Sequence, residues 1–527
     1  MKKLILLLLL ISLWWANIYA LNDMPLLAQL QGEHNNSGYG YSLVSLDFNH
    51  DGYDDLVVLA SFYGYQYQQT PSRGKVYIYY GGPSFSSATQ PAMTLEGDYP
   101  EGEQRQIGWI VNVGDANGDG FEDLMITDVN PNLTSSARSM YFFGETSDLS
   151  TPDMIQTFLP NEEIYHFDKL GDVDGDGFED IGIAYTLNHI LSFDIQWGGS
   201  FERQIVLSGI GNASYAGSII GIGDTNNDGY NDFAIGYLTG DIGEFTTYQR
   251  VYYGNNLRDF SQDLILVQVP FMATWRCKPL GDLNGDGYND FFAYADSGGL
   301  KLWYGADILQ PDYPDIALLP VYYGNDSVRG IESGDVNGDG FSDVVGASYS
   351  NQRFAVWLGS STMNGQADWI KFNQYENFGY DLAMGDYNGD GFCDIAVSAP
   401  MEEGSWPLHD YRGYVFIYAG YSGMVANNDP LAPQLSQQLQ MTLSPNPVRN
   451  INEININIIS SAVDKGKPVR IEVFNLKGQS VYQSEETSIS FTEISRKVNL
   501  SNYPSGIYLC RAQVGNKQIS KKFTIIK

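Results

Sequence analysis

The sequence predicts an all-β protein: a seven-bladed β-propeller with a C-terminal β-sandwich domain. Three observations lead there. An acidic nine-residue pattern occurs seven times, each copy sits among short apolar and aromatic runs with no helical period, and the charge changes sign near residue 441. The 527 residues carry a net charge of −34, from 63 acidic and 29 basic side chains. Only 17% of the chain is charged and 43% is hydrophobic, which is the composition of a folding chain with a large core. The 57 glycines and 37 tyrosines favour tight turns and short strands. The acidic balance disfavours nucleic acid as a partner.

The chain opens with Lys2 and Lys3, an apolar run over 4–13, and the small exit residues Ala16 and Ala20. This reads as a signal peptide, 1–20, with an N-terminal membrane anchor as the alternative, and no later stretch is apolar enough to span a bilayer. The three cysteines, Cys277, Cys393 and Cys510, are dispersed and form no disulfide framework; they read as buried small hydrophobes. Residues 21–440 hold 57 of the 63 acidic residues, whereas 441–527 are net basic. Between 421 and 440 lies a linker rich in Asn, Pro, Gln, Ser and Ala.

The acidic pattern, Asp-x-Asn/Asp-x-Asp-Gly-aromatic-x-Asp, starts at Asp47, Asp115, Asp172, Asp224, Asp282, Asp335 and Asp386, at intervals of 51 to 68 residues. Calcium takes six to eight oxygen ligands, and alternate side chains at positions 1, 3 and 5 can deliver oxygens into one small volume, joined by the carbonyl of position 7. Glycine at position 6 permits the bend. An EF-hand would need Glu at position 12, which here is Val58, Ile126, Ile183, Ile235, Ala293, Gly346 or Val397; the last ligand is instead the Asp at position 9.

The expected ligand sets are therefore Asp47, Asn49, Asp51, Tyr53 and Asp55; Asp115, Asn117, Asp119, Phe121 and Asp123; Asp172, Asp174, Asp176, Phe178 and Asp180; and Asp224, Asn226, Asp228, Tyr230 and Asp232. The remaining three are Asp282, Asn284, Asp286, Tyr288 and Asp290; Asp335, Asn337, Asp339, Phe341 and Asp343; and Asp386, Asn388, Asp390, Phe392 and Asp394. That makes about seven Ca²⁺ sites. The competing reading is a set of Asp/Asn/Gly turns without metal, but turns do not require an acid at position 9. The third loop, with Asp174 where the others have Asn, has the most carboxylates and is expected among the tightest by charge count. An apolar strand follows every loop, so the loops join strands, which also rules out a dockerin.

Each unit adds a short strand before the loop and a third strand ending in glycine, as over 76–81 and 356–359; a fourth strand leads to the next unit. Four strands per 50 to 70 residues, seven times over, means radial blades. Residues 24–31 read like a fourth strand, while the last unit ends at its third. The N-terminal strand is thus expected to complete the seventh blade and close the ring.

The repeats resemble FG-GAP repeats, the seven-bladed calcium-binding propeller of integrin α-subunit heads. The match is fullest in the seventh unit, with Phe378-Gly379, the glycine-flanked loop 385–391, and Ser398-Ala399-Pro400; other units keep the loop but lose the flanks. The resemblance covers about 24–420 and implies calcium sites, cell adhesion and a propeller over 21–420.

The tail, 441–527, has Ser444-Pro445-Asn446-Pro447, alternating strands and Gly506-Ile507-Tyr508. It is similar to the type A C-terminal sorting domain of the type IX secretion system, a small β-sandwich; the alternative is an ordinary accessory sandwich. The resemblance implies engagement of the type IX machinery and release or anchoring at the outer surface of a Gram-negative, Bacteroidetes-like bacterium.

No nucleophile elbow, zincin motif or phosphate loop is present, and the five histidines are scattered. The expectation is a non-enzymatic, secreted or cell-surface module binding a glycan or protein. The alternatives are a propeller-based polysaccharide lyase or glycoside hydrolase, and a structural surface-layer component. The ligand is expected at the face opposite the metal loops. There the connections 60–75 and 399–413 are long and carry Tyr63, Tyr65, Tyr67, Trp406, His409 and Tyr411. These rings could instead pack locally to support their own loops.

Overall fold

The structure is a computed structural model. It describes residues 24–34, 37–64, 73–97, 106–129, 138–142, 144, 149, 151–159, 162–210, 217–239, 246–261, 264–270, 277–296, 299–307, 309, 314–318, 330–400, 412–421, 440–444, 448–449, 453–459, 469–475, 479–486, 493–500, 503–514 and 517–526. The chain divides into two compact units, 1–429 and 430–527. The expected signal peptide and nearly all of the expected linker lie outside the described residues. Among the described residues every regular element is a strand, and no helix is long and apolar enough to cross a membrane.

The first unit is built of seven four-stranded antiparallel sheets. Their first strands are Tyr39–Leu46, Gln106–Gly114, Glu162–Gly171, Ser218–Gly223, Lys278–Gly281, Gly330–Gly334 and Leu382–Gly385. Each packs beside the next, and the seventh packs beside the first, so they form a closed inner ring. They line a channel of about 730 Å³, where Lys278 of blade 5 pairs with Glu332 of blade 6 at 3.0 Å.

The burial pattern explains why the sequence reads as short unbroken apolar runs. Second strands such as Asp55–Ala60 and Asp343–Ser348 are buried along their whole length, because each is covered on both sides by neighbouring blades. Outer strands such as Met93–Glu96 and Met154–Thr157 alternate half-buried and exposed residues, as a sheet edge does. Among the described residues the core is seven apolar clusters, each between consecutive blades. One joins Val57, Leu59 and Ile78 to Ile110, Leu124 and Ile126, and another joins Val415 and Ile417 of blade 7 to Tyr39, Leu56 and Val58 of blade 1.

The ring closes as the sequence predicts. Leu26–Gln31 is the outer strand of blade 7, antiparallel to Tyr414–Tyr418 with Leu30 opposite Val415. Ala28 and Leu30 are buried by this pairing, and burying a leucine side chain stabilises by roughly 1.5–3 kcal/mol.

The second unit holds a three-stranded sheet (Gln440–Ser444, Glu453–Ile459, Glu493–Asn499) and a five-stranded sheet. The latter contains Val448–Arg449, Lys517–Ile526, Gly506–Val514, Val469–Asn475 and Ser480–Glu486. Ile454, Ile456 and Val498 of the first share a core with Val469, Ile471, Val473, Tyr508, Cys510 and Val514 of the second, which is a two-layer sandwich. Cys277 and Cys510 are buried as expected, but Cys393 is only half-buried, because it occupies position 8 of the seventh acidic loop.

Candidate functional site: a belt of seven acidic loops

Every acidic loop joins the C-terminal end of an inner strand to the second strand of the same blade, so all seven lie on one face of the ring. Backbone amides organise each loop around its carboxylates. The Asp at position 1 accepts the N–H of position 5 on one oxygen, at 2.9–3.2 Å, and the glycine N–H of position 6 on the other, at 2.8–3.0 Å. Position 5 accepts the N–H of position 7 through Oδ1 in all seven loops, at 2.9–3.1 Å. Its Oδ2 is left over. In five loops the position-3 Asn turns its Nδ2 onto that oxygen, at 2.8–3.0 Å.

The loops thus hold several acidic side chains on one tight turn of backbone, with few counter-charges. Among the described ion pairs, only the third loop's ligand positions meet a basic side chain. In that loop, carboxylate oxygens of Asp172, Asp174 and Asp176 lie within 4.8 Å of one another. Crowded hard oxygens on a tight backbone are the donor chemistry that suits Ca²⁺, so the residues present fit the ion the spacing implies.

Position 9 has a second role. Asp55, Asp123, Asp180, Asp232, Asp290, Asp343 and Asp394 have no exposed surface. In six of them Oδ2 accepts the N–H of loop position 2 at 2.8–3.1 Å. In all seven Oδ1 accepts the N–H of the glycine two residues past the third strand, at 2.7–3.0 Å. One carboxylate therefore ties the loop to two strands of its blade. Those glycines are needed for close approach: a Cβ on Gly254 would lie 2.7 Å from both the Tyr230 Cβ and the Val173 carbonyl oxygen.

Burial pushes these acids up, against the pull of the two amides and with the neighbouring loop carboxylates adding to the rise. Asp55, Asp123, Asp180, Asp232 and Asp290 reach about 7, Asp394 about 8, and Asp343 is well above the ordinary carboxylate range.

The loops also join hands around the ring. The N–H of position 8 donates to the position-1 carbonyl of the preceding loop at six of the seven junctions, at 2.9–3.3 Å, including Asp54 to Asp386 across the closure. The position-7 aromatic packs on position 4 of the preceding loop, where φ is positive. His50 lies 4.7 Å from Phe121 ring to ring, and a Cβ at Gly175, Gly285 or Gly338 would come within 2.6 Å of Tyr230, Phe341 or Phe392.

Tyr65, Tyr67, Trp406, His409 and Tyr411 lie outside the described residues. Tyr63 is half-buried, 5.4 Å from the His34 ring, with the Lys75 ammonium 4.9 Å from its centroid, which is local packing. Sequence reasoning missed a nearby row of rings contributed by three blades: Phe62–Tyr41 at 5.4 Å, Tyr41–Tyr380 at 5.3 Å and Tyr380–Tyr349 at 5.8 Å. Tyr380 is buried and the other three are half-buried.

Residues 39–79 and 378–418 match the FG-GAP repeat, 335–397 the FG-GAP-like repeat, and 442–527 the secretion system C-terminal sorting domain. The chain is 35% identical over 98 residues to phosphatidylinositol-glycan-specific phospholipase D of Rattus norvegicus, covering 19% of this chain and 11% of that protein. It is 34% identical over 117 residues to integrin alpha-4 of Xenopus laevis (20% and 10%), and 26% over 177 residues to integrin alpha-IIb of Mus musculus (32% and 17%). The matched stretches thus span less than a fifth of these relatives' length.

Among solved structures, the chain is similar to PorZ, a bacterial surface component of the type-IX secretion system of Porphyromonas gingivalis. The identity is 14% and the TM-score 0.43, over 92% of this chain and 59% of that one. The Dos1 propeller aligns at 8% identity and TM-score 0.41, over 76% and 95%. The chain carries FG-GAP repeats and ends in a sorting domain that directs type IX export to the cell surface or beyond it.

Proposed function

We propose that this exported chain of FG-GAP repeats is a calcium-stabilised binding module that presents the face opposite its metal loops to a glycan or protein. The calcium part is supported by the sevenfold repeat of acidic and amide side chains on one tightly hydrogen-bonded loop, and by the carboxylate oxygens that meet within 4.8 Å in the third loop. Positions 1, 3, 5 and 9 and the carbonyl of position 7 would hold the ion, which supplies the charge that keeps crowded, buried carboxylates ionised. Its role is structural, because each loop ties strands within a blade and touches the next loop.

The observation that carries the binding part is the row Phe62, Tyr41, Tyr380 and Tyr349. It lies where the second strands end and the inner strands begin, away from the metal loops. Half-buried rings from blades 1 and 6, joined through the buried Tyr380 of blade 7, form a rigid platform of the kind that stacks on sugar rings or anchors a protein side chain. The test is a glycan array and a surface-protein binding screen on the full chain, with and without calcium, repeated with Tyr349→Ala and Trp406→Ala. Binding lost in these variants, with the thermal midpoint kept, supports the reading. Binding that survives both variants refutes the face, and product in a parallel reducing-end assay refutes a purely binding role.

A further inference from the structure

The third loop differs from its six counterparts in one ligand position and in one neighbour. Position 3 is Asp174, whose side chain is only 4% exposed. At four other loops the connection that follows the next blade's third strand donates to the position-2 carbonyl, as when the Ala306 N–H donates to the Thr225 carbonyl and the Tyr421 N–H to that of Val336. In blade 4 this connection carries Arg258, whose Nε donates to Asp174 Oδ2 and whose Nη2 donates to Asp176 Oδ2 at 3.1 Å. The guanidinium lies 4.1 Å from the centroid of Trp197. The backbone of Arg258 is fixed too: its N–H reaches the Asn255 carbonyl at 3.1 Å and its carbonyl accepts from Gln204 Nε2 at 2.9 Å.

The two oxygens it grips are the ones the backbone leaves over. The Asp176 N–H takes Asp174 Oδ1 and the Phe178 N–H takes Asp176 Oδ1, both at 3.1 Å. A divalent ion entering this loop needs the Oδ2 oxygens that the guanidinium occupies. A buried carboxylate also needs a counter-charge, and where the other loops use an uncharged Asn, this one has an extra acid with an arginine to match.

We infer that Arg258 is a tethered internal cation that competes with the divalent ion for the third loop, so that this loop is the weakest calcium site of the seven and holds its shape without calcium. That reverses the ranking expected from charge count, and it rests on the reading of the loops as cation sites.

The test is a calcium titration of the full chain, followed by calorimetry and native mass spectrometry, with thermal midpoints in calcium and in EDTA. Wild type should show six tight sites and a weaker seventh. R258Q should tighten the seventh by about tenfold to a hundredfold, the worth of charge-assisted hydrogen bonds no longer displaced. It should also melt lower than wild type in EDTA and recover in calcium, because Asp174 is then left without its partner. R258K keeps the charge but loses the two-pronged grip, and its seventh site should fall between the two. A seventh site no tighter in either variant overturns the inference while leaving the calcium reading intact; a wild-type chain that binds no calcium overturns both.

Discussion

Truncating Asp343 and Asp339, two acids of the sixth loop, separates the carboxylate that ties the blade together from one that serves the ion. Asp343 has no exposed surface and accepts the Val336 N–H at 2.9 Å and the Gly359 N–H at 2.7 Å. Asp343→Ala leaves both amides buried without an acceptor, at about 1–3 kcal/mol each, or about 2–6 kcal/mol together. Calcium cannot restore those bonds, so the loss persists in EDTA. Asp339 is exposed and accepts the Phe341 N–H at 3.0 Å and the Asn337 amide, in a place water can reach. Asp339→Ala should therefore cost no more than about 1 kcal/mol in EDTA, and should mainly erase the gain that calcium gives this loop. The assay is unfolding of the full chain with each variant, in calcium and in EDTA. An Asp343→Ala protein as stable as wild type in EDTA, or two variants with equal losses there, would refute the division of labour.

Three further outcomes follow from the same geometry. In EDTA the position-9 acids have folded-state values near 7 to 8, above their ordinary range, so the folded chain binds protons more readily than the unfolded one. Ion-free stability should thus be greatest at low pH and be lost as pH rises through about 7, giving a higher midpoint at pH 6 than at pH 8; a flat profile contradicts this. Gly389 has a φ of +73° and faces the Tyr53 ring across the closure, so Gly389→Ala meets both backbone strain of roughly 1–2 kcal/mol and a collision. Its midpoint should fall with or without calcium, and an unchanged midpoint argues against a closed belt. Deleting 24–31 exposes the edge of Tyr414–Tyr418 and uncovers the site of Ala28 and Leu30. Light scattering should then report self-association, and a monodisperse deletion variant would show that the strand is dispensable.

Much of the architecture is legible in the sequence because it is periodic: one loop repeated seven times announces the blades, and an orphan fourth strand at 24–31 announces how they close. The aspartates at position 9 were legible as acids but not as staples, since spacing does not show that Asp55 meets the N–H of Gly81. The loop-to-loop contact left a faint trace, in that position 4 is always Gly, Asn or His, residues that tolerate positive φ. Arg258 left none, because it reaches Asp174 across 84 residues from a connection with no repeat signature of its own. The rings of Tyr41, Tyr349 and Tyr380 look like ordinary strand-end aromatics until the ring brings blades 6, 7 and 1 together.

The proposed role of the acidic belt is that of a set of cation sites that holds the propeller together. The direct measurement is the number of calcium ions bound by the full chain at saturation, by native mass spectrometry, alongside its melt before and after chelation. Six ions should be held tightly with a seventh at higher calcium, and the midpoint should drop in EDTA and recover on adding calcium back. A chain that binds no calcium and melts at the same temperature in excess EDTA would contradict that role.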